Sequence, residues 1–333
     1  MTDREKYPSI HNQHVVVHAD LRGNLVARGL AAIRASKGLY ENGKRLPQND
    51  TEMAERCRMY AEQGDVHSQH RLGIMYADGK GVPQSFVQAV EWFRKAAVQG
   101  YANAQGRLGL SYAYGEGVLQ DYVQAVEWYR KAAEQGYALS QLYLGYMYRD
   151  GRGVPQDDEQ AVYWYRKAAV QGLAAAQYKL GYSYSVGNGV LKDYTQAVEW
   201  FQKAAVQGYA NAQFCLWTMY NGGEGVPQDD VQAVEWLRKA ADQGDVLAQT
   251  CLGDMYKKGR GIPQNYVLEA DWYRKAADQG YVEAQFKLGA MYESGRGVPQ
   301  DDEQAVYWYR KAAERGDALA LDALRKLGID WKK

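Results

Sequence analysis

Apolar and small residues return along this chain at helical spacing, in two alternating stretches. Between residues 101 and 136, Ala104, Leu108 and Tyr112 fall at i, i+4 and i+8, one stripe of a 3.6-residue helix. Gly115 and Gly117 end that helix, because glycine enters the left-handed conformation of a helix terminus at little cost. A second helix follows, with Ala125, Trp128, Tyr129, Ala132 and Ala133 predicted on its buried face. It opens at Asp121 with Gln124 three positions on, and the pairing recurs as Asp157–Gln160, Asp193–Gln196, Asp229–Gln232 and Asp301–Gln304. An oxygen at the cap and a glutamine at the third helical position can satisfy each other's orphan amides, so a reciprocal capping box is expected. Gln135-Gly136 then turns the chain into the next unit.

The tryptophans make the period explicit. Trp92, Trp128, Trp164, Trp200, Trp236, Trp272 and Trp308 stand 36 residues apart. The stretch GRGVPQDDEQAVYWYRKAA occurs twice without change, at 151–169 and 295–313. A period of this length predicts stacked supersecondary units, hence an all-α solenoid of 36-residue helix-turn-helix repeats. Seven units run over 65–316. A degenerate unit precedes them at 29–64, where Tyr40, Gly43, Pro47 and Gly64 hold register but Arg56 replaces the tryptophan. Residues 1–28 form a separate segment, partly disordered by expectation, and 317–333 a capping helix and tail. The seven indoles and their tyrosine neighbours are expected to fill the gaps between layers. Gly109 and its equivalents sit inside a helix, where glycine costs about 1 kcal/mol against alanine, so close helix contact is expected there. Trp217 breaks that rule and predicts local splaying.

Composition narrows the class. The chain has 333 residues, 46% of them apolar, with 28 Tyr and 9 Trp against 5 Phe. Lys plus Arg and Asp plus Glu balance at 40 each, which leaves no global field for nucleic acid. No apolar run of about 18 residues is present, so no membrane span is expected. The start, MTDREKYPSI, lacks the apolar core of a secretory signal. Three cysteines, at 57, 215 and 251, do not make a disulfide framework, and a cytoplasmic setting is expected.

These residues make the chain similar to the Sel-one-like repeat (SLR) family, a branch of the tetratricopeptide-repeat superfamily. The family's pattern reads here as Ala104, Leu108, Gly109, Tyr112, Gly115, Gly117 and Val118, then Ala125, Trp128, Tyr129, Lys131, Ala132, Ala133, Gln135 and Gly136. It extends over about residues 29–328. The resemblance implies a right-handed α/α superhelix whose concave face docks other proteins, as in adaptors of signalling, secretion, envelope or quality-control complexes. Some bacterial members act in host interaction or as toxin-immunity proteins. A cysteine-rich subgroup reported to act on β-lactams pairs cysteines in each unit; this chain lacks those pairs, so that activity is not carried over.

Candidate chemistry is sparse. The Gly-x-Gly-Val-Pro loop lacks the Gly-Lys-Ser/Thr tail of a phosphate loop and reads as a cap. Arg94-Lys95, Arg130-Lys131, Arg166-Lys167, Arg238-Lys239, Arg274-Lys275 and Arg310-Lys311 would form a basic ladder on a solvated face. Glu91, Glu127, Glu199 and Glu235 are expected to pair with the lysines four residues on. His11, His14 and His18 could present imidazoles together, but no further ligand completes a metal site, so no metal or cofactor is assigned. Cys215 and Cys251 hold equivalent places in adjacent units and are expected to be free thiols. Glu269 stands where other units keep alanine, and a shifted or exposed helix is expected there, a functional carboxylate being the alternative.

If recurring positions are scaffold, function belongs to positions that vary. On the first helices, positions equivalent to 103, 107, 110 and 114 form such a stripe. It reads His67, Arg71, Ile74, Asp78, then Asn103, Arg107, Leu110, Tyr114, then Leu139, Tyr143, Tyr146, Asp150, then Ala175, Lys179, Tyr182, Val186. Arg71, Arg107, Tyr114, Tyr143, Tyr146, Lys179 and Tyr182 give it the Tyr/Arg character of interaction hot spots. The expected function is therefore a non-enzymatic adaptor that docks a protein or peptide partner on the concave face. A toxin-immunity or host-directed protein using the same surface is one alternative, and a metal-dependent enzyme using the N-terminal histidines another.

Overall fold

The computed structural model describes residues 40–41, 44–45 and 49–330. Among the described residues a short antiparallel hairpin, β1 (Tyr40–Glu41) and β2 (Lys44–Arg45), comes first, and sixteen helices follow. Helix α1 (Asp50–Glu62) precedes seven helix pairs. These are α2 (Val66–Asp78) with α3 (Phe86–Val98), α4 (Ala102–Tyr114) with α5 (Tyr122–Glu134), and α6 (Ala138–Asp150) with α7 (Asp158–Val170). Next come α8 (Ala174–Val186) with α9 (Tyr194–Ala205), α10 (Ala210–Gly222) with α11 (Asp230–Asp242), α12 (Val246–Lys258) with α13 (Tyr266–Asp278), and α14 (Val282–Ser294) with α15 (Asp302–Ala313). Helix α16 (Ala318–Lys326) covers the end. Every extensive helix contact joins neighbours in the chain, so the core is a row of local clusters, the signature of a solenoid. The 1–28 segment, with His11, His14 and His18, lies outside the described residues.

The loops show why each pair folds alike. Gly115 ends α4 in the left-handed region, at φ 72°. Gly117, at φ 76°, has a second duty: a Cβ there would lie 2.2 Å from the Phe86 carbonyl oxygen at the start of α3, in the preceding unit. Asp121 accepts from the amides of Val123 and Gln124, as expected of an N-cap. The reciprocal half of the capping box does not form. The Asp121 amide donates instead to the Tyr112 carbonyl at 2.9 Å, closing the loop on the previous helix, and Gln124 turns to Glu127. The cap amides of Asp157, Asp193, Asp229 and Asp301 are likewise donated to Tyr148, Tyr184, Tyr220 and Tyr292.

The mid-helix glycines do mark close contact, and what approaches them is a ring. A Cβ at Gly109 would stand 2.6 Å from Tyr129, and the same clash recurs for Gly73 on Phe93, Gly145 on Tyr165, Gly181 on Phe201, Gly253 on Tyr273 and Gly289 on Tyr309. These rings, each directly after the periodic tryptophan, are the buried filling between helices, and Tyr129 is 0% exposed. The tryptophans sit further out. Trp164, Trp272 and Trp308 are buried, whereas Trp92, Trp128, Trp200 and Trp236 keep one side accessible. Splaying at Trp217 does not occur. Leu237 takes the ring's place, wholly buried, and α10 packs on α11 as closely as in the other pairs.

Candidate interaction surface

The cations of the second helices are occupied within the scaffold. Lys95 lies 3.8 Å from the centre of the Trp92 ring, and Lys131, Lys203, Lys239 and Lys275 sit likewise over Trp128, Trp200, Trp236 and Trp272. No ion pair joins them to Glu91, Glu127, Glu199 or Glu235 among the described residues. The indole three residues back offers a cation a negative ring face beside apolar surface, and it wins over an exposed carboxylate. Gln124, Gln196 and Gln232 meanwhile donate to Glu127, Glu199 and Glu235.

The arginines are used as well. Arg94 donates to the Tyr112 hydroxyl at 3.0 Å, Arg130 to Tyr148 at 2.9 Å and Arg166 to Tyr184 at 2.7 Å. Arg238 and Arg274 do the same to Tyr256 and Tyr292. Each bond ties a second helix to the next first helix, so the predicted solvated ladder is a seam between units, except at Arg310, which makes no such bond among the described residues. A glutamine ladder runs beside it. Gln105 caps the end of α3 through the Ala97 carbonyl, and Gln135 donates to Gln105 at 2.7 Å. Gln141 with Gln171, and Gln177 with Gln207, repeat the arrangement. The sequence signal was available, since these glutamines keep the same 36-residue step as the tryptophans.

Against this background the first helices differ. Arg71 and Arg107 are partly exposed on α2 and α4, and neither makes a hydrogen bond or ion pair among the described residues. Lys179 on α8 lies 5.5 Å from the Tyr146 ring and 5.2 Å from that of Tyr178, and burial pulls its pKa down to about 8. Tyr114 is exposed and Tyr182 partly so.

Tyr143 and Tyr146 depart from the expected groove floor, because each is only 6% exposed. Tyr143 stacks on Tyr129 with centroids 5.4 Å apart, and Tyr146 meets Tyr165 edge-on at 5.7 Å. Burying two large rings in the α6 layer outweighs leaving them in water. Alanine at these two sites would therefore probe packing.

Glu269 corrects another expectation. Helix α13 keeps its register, capped by Asn265, and the Glu269 side chain is wholly buried. Its Oε1 accepts from Arg296 Nη2 at 3.1 Å, while Oε2 has no partner among the described residues. Burial raises its pKa, against the pull of Arg296 and Lys257. Cys57, Cys215 and Cys251 are free thiols, and burial pushes Cys215 and Cys251 up to about 12. No group of three or more metal-ligating side chains occurs among the described residues, and none of their helices is long and apolar enough to cross a membrane.

Stacked two-helix units with internally paired cations and a variable first-helix face define a repeat solenoid. The chain belongs to the Sel1 repeat family, whose pattern matches residues 66–101, 102–137, 138–173, 174–209, 215–245, 246–281 and 282–317. The fifth match begins late, in the helix that carries Trp217. A protective antigen of uropathogenic Escherichia coli with an SLR fold is similar at 42% identity and TM-score 0.79, over 82% of this chain and 59% of the antigen. This chain thus spans less than two thirds of the antigen's length. A Sel1 repeat protein from Oxalobacter formigenes is similar at 36% identity and TM-score 0.70, over 95% of this chain and 89% of that one. No curated protein matches the chain significantly.

Proposed function

We propose that this chain is a non-enzymatic scaffold that docks a protein or peptide partner on the inner curve formed by its first helices. One observation carries the reading. Five repeated lysines and five repeated arginines of the second helices are taken up by indoles and tyrosine hydroxyls, Arg310 of the last unit being the exception, whereas on the first helices Arg71 and Arg107 have no partner among the described residues. With Lys179, Tyr114 and Tyr182 they form a basic, tyrosine-bearing face at the positions that differ from unit to unit. Tyr143 and Tyr146 support that face from beneath. The free thiols suit a reducing, cytoplasmic setting. A host-directed use of the same face is the second reading, favoured by the 42% identity to the protective antigen.

The test is affinity capture from the native cell, with mass spectrometry, using wild type and R71E/R107E/K179E matched for helical content. A partner retained by wild type and lost by the variant supports the reading. An unchanged set of captured proteins removes it.

A further inference from the structure

Two departures from the repeat meet at one spot between α4 and α6. At position 106 the other units carry His70, Leu142, Tyr178, Phe214, Thr250 and Phe286, and here the residue is glycine. Unlike Gly109, Gly106 accommodates no ring from a second helix; a Cβ on it would instead stand 2.8 Å from Ser140 Oγ and 2.8 Å from Tyr137. Ser140 in turn stands where Ala104, Ala176, Ala212, Ala248 and Ala284 have alanine, a substitution shared only with Ser68 of the first unit. It is 0% exposed, and its hydroxyl has no hydrogen-bond partner among the described residues.

A glycine inside a helix weakens it, and a buried hydroxyl left unpaired is unfavourable. Gly106 lets Ser140 and Tyr137 pack closely on α4, but most other units stack without either residue. Together they open a small pocket with Arg107, Leu110, Tyr137 and Tyr143 around it. The bare backbone of Gly106 lets Ser140 Oγ and the Tyr137 ring close in, and beside them the pocket is bordered by Ser140 as a buried donor and Arg107 as a positive charge with no partner among the described residues.

We propose that this pocket is an anchor subsite for a carboxylate side chain, Asp or Glu, on the partner. One carboxylate oxygen accepts from the Ser140 hydroxyl and the other faces the Arg107 guanidinium. The ring of Tyr143 and the side chain of Leu110 shield the pair from water. A charge-assisted bond in such a site is stronger than a neutral one, and the orphan hydroxyl gains its missing partner. The inference rests on the binding-face reading above and names the chemistry that face recognises.

The probes are N-acetyl-aspartate N-methylamide and N-acetyl-glutamate N-methylamide, titrated into the full chain while backbone amide resonances are followed. N-acetyl-asparagine N-methylamide serves as the neutral control, and N-acetylglycine presents a terminal carboxylate. Saturable shifts centred on Gly106 and Ser140 are expected for at least one acidic amide and not for the control. S140A, which restores the residue of five other units, weakens that binding on the order of tenfold, the loss of one charge-assisted hydrogen bond. G106L, which fills the pocket as Leu142 does one unit on, abolishes it.

Equal shifts with the asparagine control, stronger binding of N-acetylglycine, no saturable binding, or indifference to both S140A and G106L each overturn the proposal. Partner capture separates this failure from that of the scaffold reading. A partner kept by G106L but lost by R71E/R107E/K179E removes the anchor and leaves the docking face standing.

Discussion

Arg296 Nη2 lies 3.1 Å from Oε1 of Glu269, and this ion pair has no counterpart in the other units, where alanine holds position 269's place. The carboxylate is wholly buried while the arginine side chain is 40% exposed, so water screens one end of the pair. Breaking a fully buried pair costs about 3–5 kcal/mol, and the open arginine places R296A below that range. The double variant E269A/A270V rebuilds the Ala-Val pair of the other units and is expected to be neutral or stabilising, as apolar replacements of buried pairs often are. Urea midpoints check both. A destabilised E269A/A270V would show that the pair holds the last units together.

Trp217 and Leu237 form a second matched exception. Elsewhere a glycine faces a large ring; here the large residue is on α10 and the smaller one on α11, within one apolar cluster. W217G alone opens a void, and L237Y alone overpacks at about 1–3 kcal/mol. The double variant recreates the arrangement of Gly109 with Tyr129. It should be more stable than the sum of the single losses by on the order of 1 kcal/mol or more, read from a double-mutant cycle. Additive losses would mean that the two sites do not share a contact.

What repeats was readable from the chain alone, because a feature present in seven units stands out in one sequence. The helix pairs, the left-handed glycines and the side-chain caps, aspartate in five units with Ser85 and Asn265 in the other two, all belong to this kind. Choices between neighbours in space were not readable. Lys95 lies within helical reach of both Glu91 and Trp92, and only the half-covered indole decides between them. Tyr143 and Tyr146 fall on the variable stripe, yet their rings turn inward against Tyr129 and Tyr165. Single-copy departures were hardest. Glu269 was visible as an oddity, but its partner lies 27 residues on, in the next unit's loop. Gly106, and Ser140 with its one counterpart Ser68, acquire meaning only when α4 and α6 are brought side by side.

The thiols supply a prediction about reactivity. Burial pushes Cys215 and Cys251 from 9.0 to about 12, which lowers the thiolate fraction at pH 8 by about a thousandfold. A thiol-specific disulfide reagent should therefore label both slowly in the native chain and promptly in urea. Both residues are partly exposed, so prompt labelling of Cys215 without denaturant would show that its thiol is not held protonated by its surroundings.

Among the groups that titrate in acid, His70 and Glu269 pull stability in opposite directions. His70 packs edge-on to Tyr101 at 5.1 Å and near Phe93 at 5.9 Å, and burial, with Arg107 and His67 close by, lowers its pKa from 6.5 to about 4. The native chain therefore holds His70 neutral, and the unfolded chain takes up the proton first. Its contribution is complete above pH 6.5 and is lost as pH falls toward 4. The loss reaches about 3 kcal/mol, because each tenfold difference in proton affinity between the two states is worth about 1.4 kcal/mol. Glu269 has the reverse sign. Its raised pKa makes the native chain bind the proton more readily, so its contribution is present below 4.5 and disappears as pH rises through the raised value. Wild type alone would show these two together with Asp65, Asp230 and Asp322, whose pKa values are lowered by hydrogen bonds, and Asp245, raised by burial. H70L carries the residue found at Leu142, and it should lose less stability than wild type between pH 7 and pH 4.5. E269Q should lose more. Parallel pH profiles for H70L and wild type would show that His70 titrates in the native chain much as it does when unfolded.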